Sequence, residues 1–241
     1  MSPVAAYSMI TLAILCGWGS LLLFGAFLLA GPIDVVHLAA PGRQALRWDA
    51  LLSLLFFIQH SGMIRASFRT WLASVIPQHY HASTYAIASG VALAAVVILW
   101  QPSDTLLYRA DGALRLLARA IALAALAGFV WGVRALKSFD GFGLKPIRAH
   151  LQGRELRVPD FVVRGPYRWV RHPLYFFVLL LIWSFPDGTL DRLLFNILWT
   201  GWVIAGTHLE EKDLVATFGD EYRRYQGTVP MLFPWRGFRT S

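Results

Sequence analysis

The sequence predicts an all-α protein: a polytopic membrane bundle of about 5–6 transmembrane helices, closed by a charged C-terminal segment. Two observations predict it. Of the 241 residues 56% are hydrophobic and only 15% are charged, well below the roughly one-quarter charged content of soluble domains. Several windows also exceed the roughly 18 apolar residues that carry a helix through hydrocarbon. One integral membrane domain over residues 1–241 follows, with N-terminal helices over about 1–136 and a second half over about 137–241.

The first apolar stretch, Tyr7 to Ala30, has no basic residue before it and is longer than the core of a secretory signal, so it is expected to stay as the first spanning helix. Cys16 is the single cysteine. It excludes an internal disulfide framework and a thiolate-rich metal site, and reads as a small buried packing residue. Further apolar segments run over about 49–64, 83–100, 116–136, 174–185 and 189–209. In the fourth, Gly128 and Gly132 have the small-xxx-small spacing that lets helices approach closely. Only "PDGTLD", Pro186 to Asp191, separates the last two, which predicts a tight helical hairpin whose first arm is short for a span.

The net charge of +8 is decided by where it lies. Arg134, Lys137, Lys145, Arg148, Arg154, Arg157, Arg164, Arg168 and Arg171 crowd one connection, and Lys212, Arg223, Arg224, Arg236 and Arg239 follow in the tail. The positive-inside bias assigns both to the cytoplasm, and six crossings put both termini there too. The predicted outer loops balance Arg43 and Arg47 against Asp34 and Asp49, and Arg109 and Arg115 against Asp104 and Asp111. Charge that tracks membrane loops predicts lipid contact and no nucleic-acid partner. No soluble second domain, repeat or low-complexity tract is visible.

Two stretches on the basic side carry chemistry. In "THLEEKDLVATFGDEYRRYQGTVPMLFP", Thr207 to Pro234, a continuing helix puts Glu211 on one face with His208, Leu214, Val215 and Phe218, toward packed structure, while Glu210 shares a face with Thr207, Asp213 and Thr217. Gly219 is a helix stop, Asp220 a fresh N-cap, and "EYRRY" a short helix presenting Tyr222 and Tyr225. In "GPYRWVRHPLYFF", residues 165–177, Pro173 fits the first turn of a helix, with Arg171 and His172 at its entrance and Tyr175 inside that turn. Free N–H groups there form an anion-binding position. Taken singly, the first stretch is also an interfacial amphipathic helix and the second a head-group anchor. Taken together, an anion site, two carboxylates and several tyrosines suit a zwitterionic ligand that also carries a cationic centre.

"GPYRWVRHPLY", followed by a hairpin and "EEKDLVATFGDEYRRYQGTVPMLFP", resembles the C-terminal half of the isoprenylcysteine carboxyl methyltransferase-like superfamily, integral membrane enzymes that use S-adenosylmethionine. The resemblance covers about residues 161 to 235. "FIQHSGMIRASFRTWL" (57–72), "STYAIASGVALAAVVILWQP" (83–102) and "SFDGFGL" (138–144) narrow it to bacterial methanethiol S-methyltransferases. The resemblance implies methyl transfer to a small thiol, methanethiol going to dimethyl sulfide, in the bacterial inner (plasma) membrane, with a cytoplasmic active site and no obligate protein partner. It implies that Arg171, His172, Pro173 and Tyr175 hold the methionine end of the cofactor, that Glu210 or Glu211 meets its amino group or ribose, and that Tyr167, Tyr222 and Tyr225 close over it. Removing Arg171 or Glu211 should then abolish cofactor binding without unfolding the bundle.

An alkyl thiol is mostly protonated at neutral pH, so a base or electropositive pocket is needed. His60, in "QHS" near the inner end of the second span, is the candidate base, with Gln59, Ser61 and Arg65 able to orient a ligand or proton path. The alternative for His60 is a hydrogen-bonded packing histidine. His79 and His81 lack a third ligand at suitable spacing, so no metal is expected. Two other activities remain open on sequence: carboxyl methylation of a prenylated cysteine or other lipid-like substrate, and transport along a polar path.

Overall fold

Helices form where the apolar segments predict them, in a computed structural model that describes residues 3–33, 35–38, 42–137, 139–156 and 161–235. Asp34, Ser138, Arg157, Arg236 and Arg239 lie outside the described residues. In chain order the elements are α1 (Pro3–Ala30), α2 (Gly42–Ile64), α3 (Ala66–Ala73), α4 (His81–Leu99), β1 (Leu106–Arg109), α5 (Gly112–Ala135), α6 (Leu144–Leu151), α7 (Pro173–Trp183), β2 (Asp187–Thr189), α8 (Leu190–Phe218) and α9 (Asp220–Thr228). Short 3-10 turns sit at Gln78–Tyr80 and Gly165–Arg168.

The chain is an integral membrane protein. Among the described residues three helices are long and apolar enough to cross a membrane: α1, α4 with the turn before it, and α5. The pair α2 and α3, bent by 69°, makes a fourth if counted as one span. The other two expected crossings correspond to α7 and α8, which fall outside that set. At 11 residues α7 is about 17 Å long, near half the roughly 30 Å of hydrocarbon, so the short arm read from sequence is short in fact.

Two compact units form, and chain order does not separate them. The first contains Met1–Asp104 and Asp140–Val158; the second contains Thr105–Phe139 and Pro159–Ser241.

In the first unit small residues set the helix spacing. The face that α1 buries carries Ala6, Ala13, Gly17 and Ser20. On α4, Gly90 stands where a Cβ would lie 2.6 Å from the Cys16 carbonyl oxygen. Cys16 itself is half-buried rather than fully buried; its backbone, more than its thiol, makes the contact. Overpacking of this kind costs about 1–3 kcal/mol, so Gly90→Ala is expected to lower the thermal midpoint in detergent. An unchanged midpoint would mean that these helices separate at no cost.

Asp49 corrects a sequence expectation. It is fully buried within α2, and its Oδ1 accepts the Gln101 backbone N–H at 2.9 Å just beyond the end of α4. It lies inside a helix and holds the segment that follows α4, rather than sitting in a loop.

In the second unit Gly128 and Gly132 on α5 lie against the Phe177 ring and the Leu174 side chain of α7, as small-xxx-small packing requires. The "PDGTLD" connection is more than a turn. Its β2 pairs antiparallel with β1, with Leu106 opposite Thr189, Tyr108 opposite Gly188 and Arg109 opposite Asp187. The Tyr108 ring occupies the space a Gly188 side chain would need. Arg115 donates to Asp187 at 2.5 Å, which fixes the ribbon to the start of α5. A ribbon this short has no periodicity for sequence reading to find.

Candidate active site

Pro173 begins α7 with His172 as the capping residue, since a proline lacks only an N–H that the first turn would leave unpaired anyway. Just before it, the backbone N–H groups of Arg171 and His172 donate to the carbonyls of Pro230 and Met231 at 2.9 and 3.1 Å. The returning tail is thereby pinned to the entrance of α7. From the other side α8 runs on past its apolar portion to Phe218, and Gly219, at φ 58°, breaks it. That left-handed φ suits glycine. Gly219 rather than Asp220 is the cap of α9, and Asp220 is its first helical residue. The short helix then buries Tyr222 and Tyr225, as its sequence predicts.

These turns converge on Glu211, which is 7% exposed. Its Oε1 accepts from Arg171 Nε at 2.8 Å, from His172 Nε2 at 2.7 Å and from the Tyr222 hydroxyl at 2.7 Å. Its Oε2 accepts from Arg171 Nη2 at 2.8 Å and from Gln226 Nε2 at 2.5 Å. Arg171 is as fully engaged: its Nη1 donates to the carbonyls of Gln226 and Val229 at 3.1 and 2.5 Å. One N–H on Nη2 is left uncommitted among the described residues. The pair is bidentate and enclosed, so it belongs with buried ion pairs and not with surface ones of negligible worth.

Burial by itself would raise the Glu211 carboxyl. Hydrogen bonds from His172, Arg171, Gln226 and Tyr222 outweigh it and hold the group well below the usual carboxylate range. Burial, then donation to Glu211, pushes the Tyr222 phenol up. A depressed carboxyl stabilises the fold fully above its ordinary value of 4.5 and loses that contribution as pH falls toward the folded value. The stability difference between the parent protein and Glu211→Gln is therefore expected to be flat from pH 5 to 8 and to shrink below about 4.5. Parallel unfolding curves across that pH series check it.

Glu210 is the contrast. Its side chain is 44% exposed, yet its Oε2 is enclosed and has no hydrogen-bond partner among the described residues. The nearest cationic candidate, His172 Nδ1, is 3.7 Å away, beyond hydrogen-bond reach. Around these groups, His172 stacks on Tyr175 with centroids 5.7 Å apart and planes at 9°. The Tyr225 hydroxyl donates to the Tyr167 carbonyl at 2.5 Å. Burial pushes the phenols of Tyr167 and Tyr225 up. Phe161, which the residue-by-residue reading passed over, sits edge-on to Tyr222 and Tyr225 at 5.7 and 5.4 Å.

The remaining predicted residues lie together in the first unit. The Tyr85 hydroxyl is 2.8 Å from His60 Nε2 and 3.2 Å from Nδ1. Gln59 Nε2 donates to Ser89 Oγ at 3.3 Å and to Met63 Sδ at 3.0 Å. Arg65, at the bend after α2, donates from Nε to the Ser61 carbonyl at 3.1 Å. Tyr85 and Ser89 are further polar residues of this group, and their signal was legible: an i, i+4 polar pair just before the apolar run Val91 to Leu99 of α4.

No family model matches the chain, and no solved structure matches it. Curated proteins do. The chain is 38% identical over 206 residues to a methanethiol S-methyltransferase of Pseudomonas deceptionensis, covering 81% of this chain and 76% of the relative. It is 33% identical over 210 residues to the methanethiol S-methyltransferase of Mycobacterium tuberculosis, covering 85% and 84%. Against methanethiol S-methyltransferase 2 of Bradyrhizobium diazoefficiens the identity is 33% over 239 residues, 96% and 88% of the two chains. The chain belongs to the methanethiol S-methyltransferase family. Membership makes it a methyltransferase, an enzyme that brings a methyl donor to an acceptor. The matches reach well beyond residues 161 to 235, so family membership takes in the N-terminal helices as well.

Proposed function

We propose that this protein moves a methyl group from S-adenosylmethionine to methanethiol, releasing dimethyl sulfide, at the cytoplasmic face of a bacterial inner membrane. The observation that carries the donor half is the contrast between the two carboxylates. Glu211 has donors on both oxygens, whereas the enclosed Oε2 of Glu210 has none. A buried acceptor atom without a donor is costly, and a ligand ammonium or hydroxyl supplies the missing bond. The names of the relatives support the acceptor half.

The donor fits the groups present. Glu210 would take the ammonium of the methionine end, and the first-turn N–H groups of α7, with Pro173 fixing that turn and Arg171 and His172 beside it, would take its carboxylate. Because Tyr222 and Tyr225 are buried and their hydroxyls are committed within the protein, they would back the site, and the half-buried Tyr167 and Tyr175 would offer the ring faces. An aromatic face beside a desolvated cation is worth about 2 kcal/mol. Bound there, the donor supplies a methyl group on an electron-poor sulfonium sulfur. Arg171 and Glu211 act as positioning residues that hold the surround rigid. His60 takes the thiol proton and leaves a thiolate, while Gln59, Ser61 and Arg65 keep that end of α2 in place.

Purified protein given trideuteromethyl-labelled S-adenosylmethionine and methanethiol is expected to release labelled dimethyl sulfide into the headspace. Absence of that product, with label appearing on a prenylated cysteine peptide or a lipid, would replace this reading by carboxyl or lipid methylation.

A further inference from the structure

The motif "SFDGFGL" has no part in the chemistry above. Its described residues nonetheless form a rigid loop ahead of α6. Asp140 accepts the Leu144 and Lys145 backbone N–H groups at 3.0 and 2.7 Å through its two oxygens. Gly143 takes φ 65°, and its carbonyl accepts the Ser83 hydroxyl of α4 at 2.7 Å. Between these anchors Phe142 lies against Gly17, in the space a side chain there would occupy, and edge-on to Trp18 at 5.5 Å.

Phe142 and Gly141 wall a cavity of about 150 Å³ in the first unit. Carbon dominates the remaining lining, with Leu21, Phe56, Ala86 and Leu93, and the polar edge is formed by His60, Tyr85, Ser89 and Ser20. An apolar cavity of about this volume holds benzene. A thiol has the matching character: a small apolar body and one weakly hydrogen-bonding S–H group. A farnesyl or acyl chain would have to extend out of such a volume.

We propose that this cavity is the methyl-acceptor pocket, that it takes small alkyl and aryl thiols up to about benzenethiol in size, and that Phe142 sets the limit. The proposal rests on the methyl-transfer reading above and adds to it the site and the size rule. Phe142 can act as a gauge because its loop is fixed at both ends and its ring is wedged between Trp18 and Gly17. Phe142→Ala enlarges the pocket, and Gly17→Ala drives the ring off its seat, so the two variants alter one wall by different routes.

The test uses the full chain in detergent and reads both binding and turnover. Without donor, the parent protein is expected to bind thioanisole and to reject naphthyl methyl sulfide by titration calorimetry. With donor, turnover should fall at least tenfold between benzenethiol and 2-naphthalenethiol. Phe142→Ala should raise the naphthyl-to-phenyl ratio at least tenfold in both measurements, and Gly17→Ala should weaken thioanisole at least tenfold. A parent protein that binds or methylates both sizes equally overturns the proposal, as does a folded Phe142→Ala with the parent preference. If Phe142→Ala does not fold, the parent size series decides alone. A parent that methylates no thiol yet shows the binding cut-off would sink the methyl-transfer reading, and the acceptor role with it, while the size rule for binding would stand.

Discussion

Glu211→Ala is expected to destabilise the protein by about 3–5 kcal/mol, the scale seen when one partner of a buried ion pair is removed. The side chains of Arg171 and Glu211 are only 10% and 9% exposed. Removing the carboxylate strands the guanidinium, the Tyr222 hydroxyl, the Gln226 amide and the His172 ring N–H at once. Chemical unfolding followed by circular dichroism measures the change. The sequence reading expected loss of Glu211 to end donor binding while the fold survived. The geometry predicts instead that fold and binding fail together, because the same carboxylate ties α8 to α9 and to the entrance of α7. Its neighbour behaves oppositely: Glu210→Gln removes no internal hydrogen bond that the structure shows, so its stability should stay within about 0.5 kcal/mol of the parent.

His60→Ala is expected to lower kcat by about 10²–10⁴-fold, the contribution typical of a positioned general base, and to change the pH profile of turnover. Tyr85 lies within hydrogen-bond distance of both ring nitrogens, so Tyr85→Phe should alter the same profile with a smaller loss. A histidine that served packing alone would give a His60→Ala enzyme with the parent pH profile. That result would move proton handling elsewhere without touching the donor site.

Local signals made much of this legible. Pro173 placed the start of α7, Gly219 the break after α8, and the abrupt change to charged residues after Thr207 the helix that carries Glu210 and Glu211. Each is a backbone rule or a periodicity that acts within one turn. The spacing of Gly128 and Gly132 likewise identified a close helix contact, though not its partner, α7. What escaped depends on contacts distant in sequence. Asp49 reads as a loop charge until its buried carboxylate is seen to accept the Gln101 backbone N–H beyond α4. Asp187 reads as part of a turn until Arg115 reaches it. Phe142 reads as one aromatic among many until Gly17 opens a seat for its ring. The division of labour between Glu210 and Glu211 was also hidden, since helical spacing gave their faces but not the donors that converge on only one of them.

The most direct measurement is equilibrium binding of S-adenosylmethionine to the parent protein and to Glu210→Gln, with thermal midpoints recorded on the same samples. Loss of a charge-assisted hydrogen bond of about 1.5–3 kcal/mol predicts roughly 10- to 100-fold weaker binding by the variant at an unchanged midpoint. Equal affinity in the two proteins, or no binding by the parent, would contradict the assignment of the donor to the groups around Arg171 and Glu211.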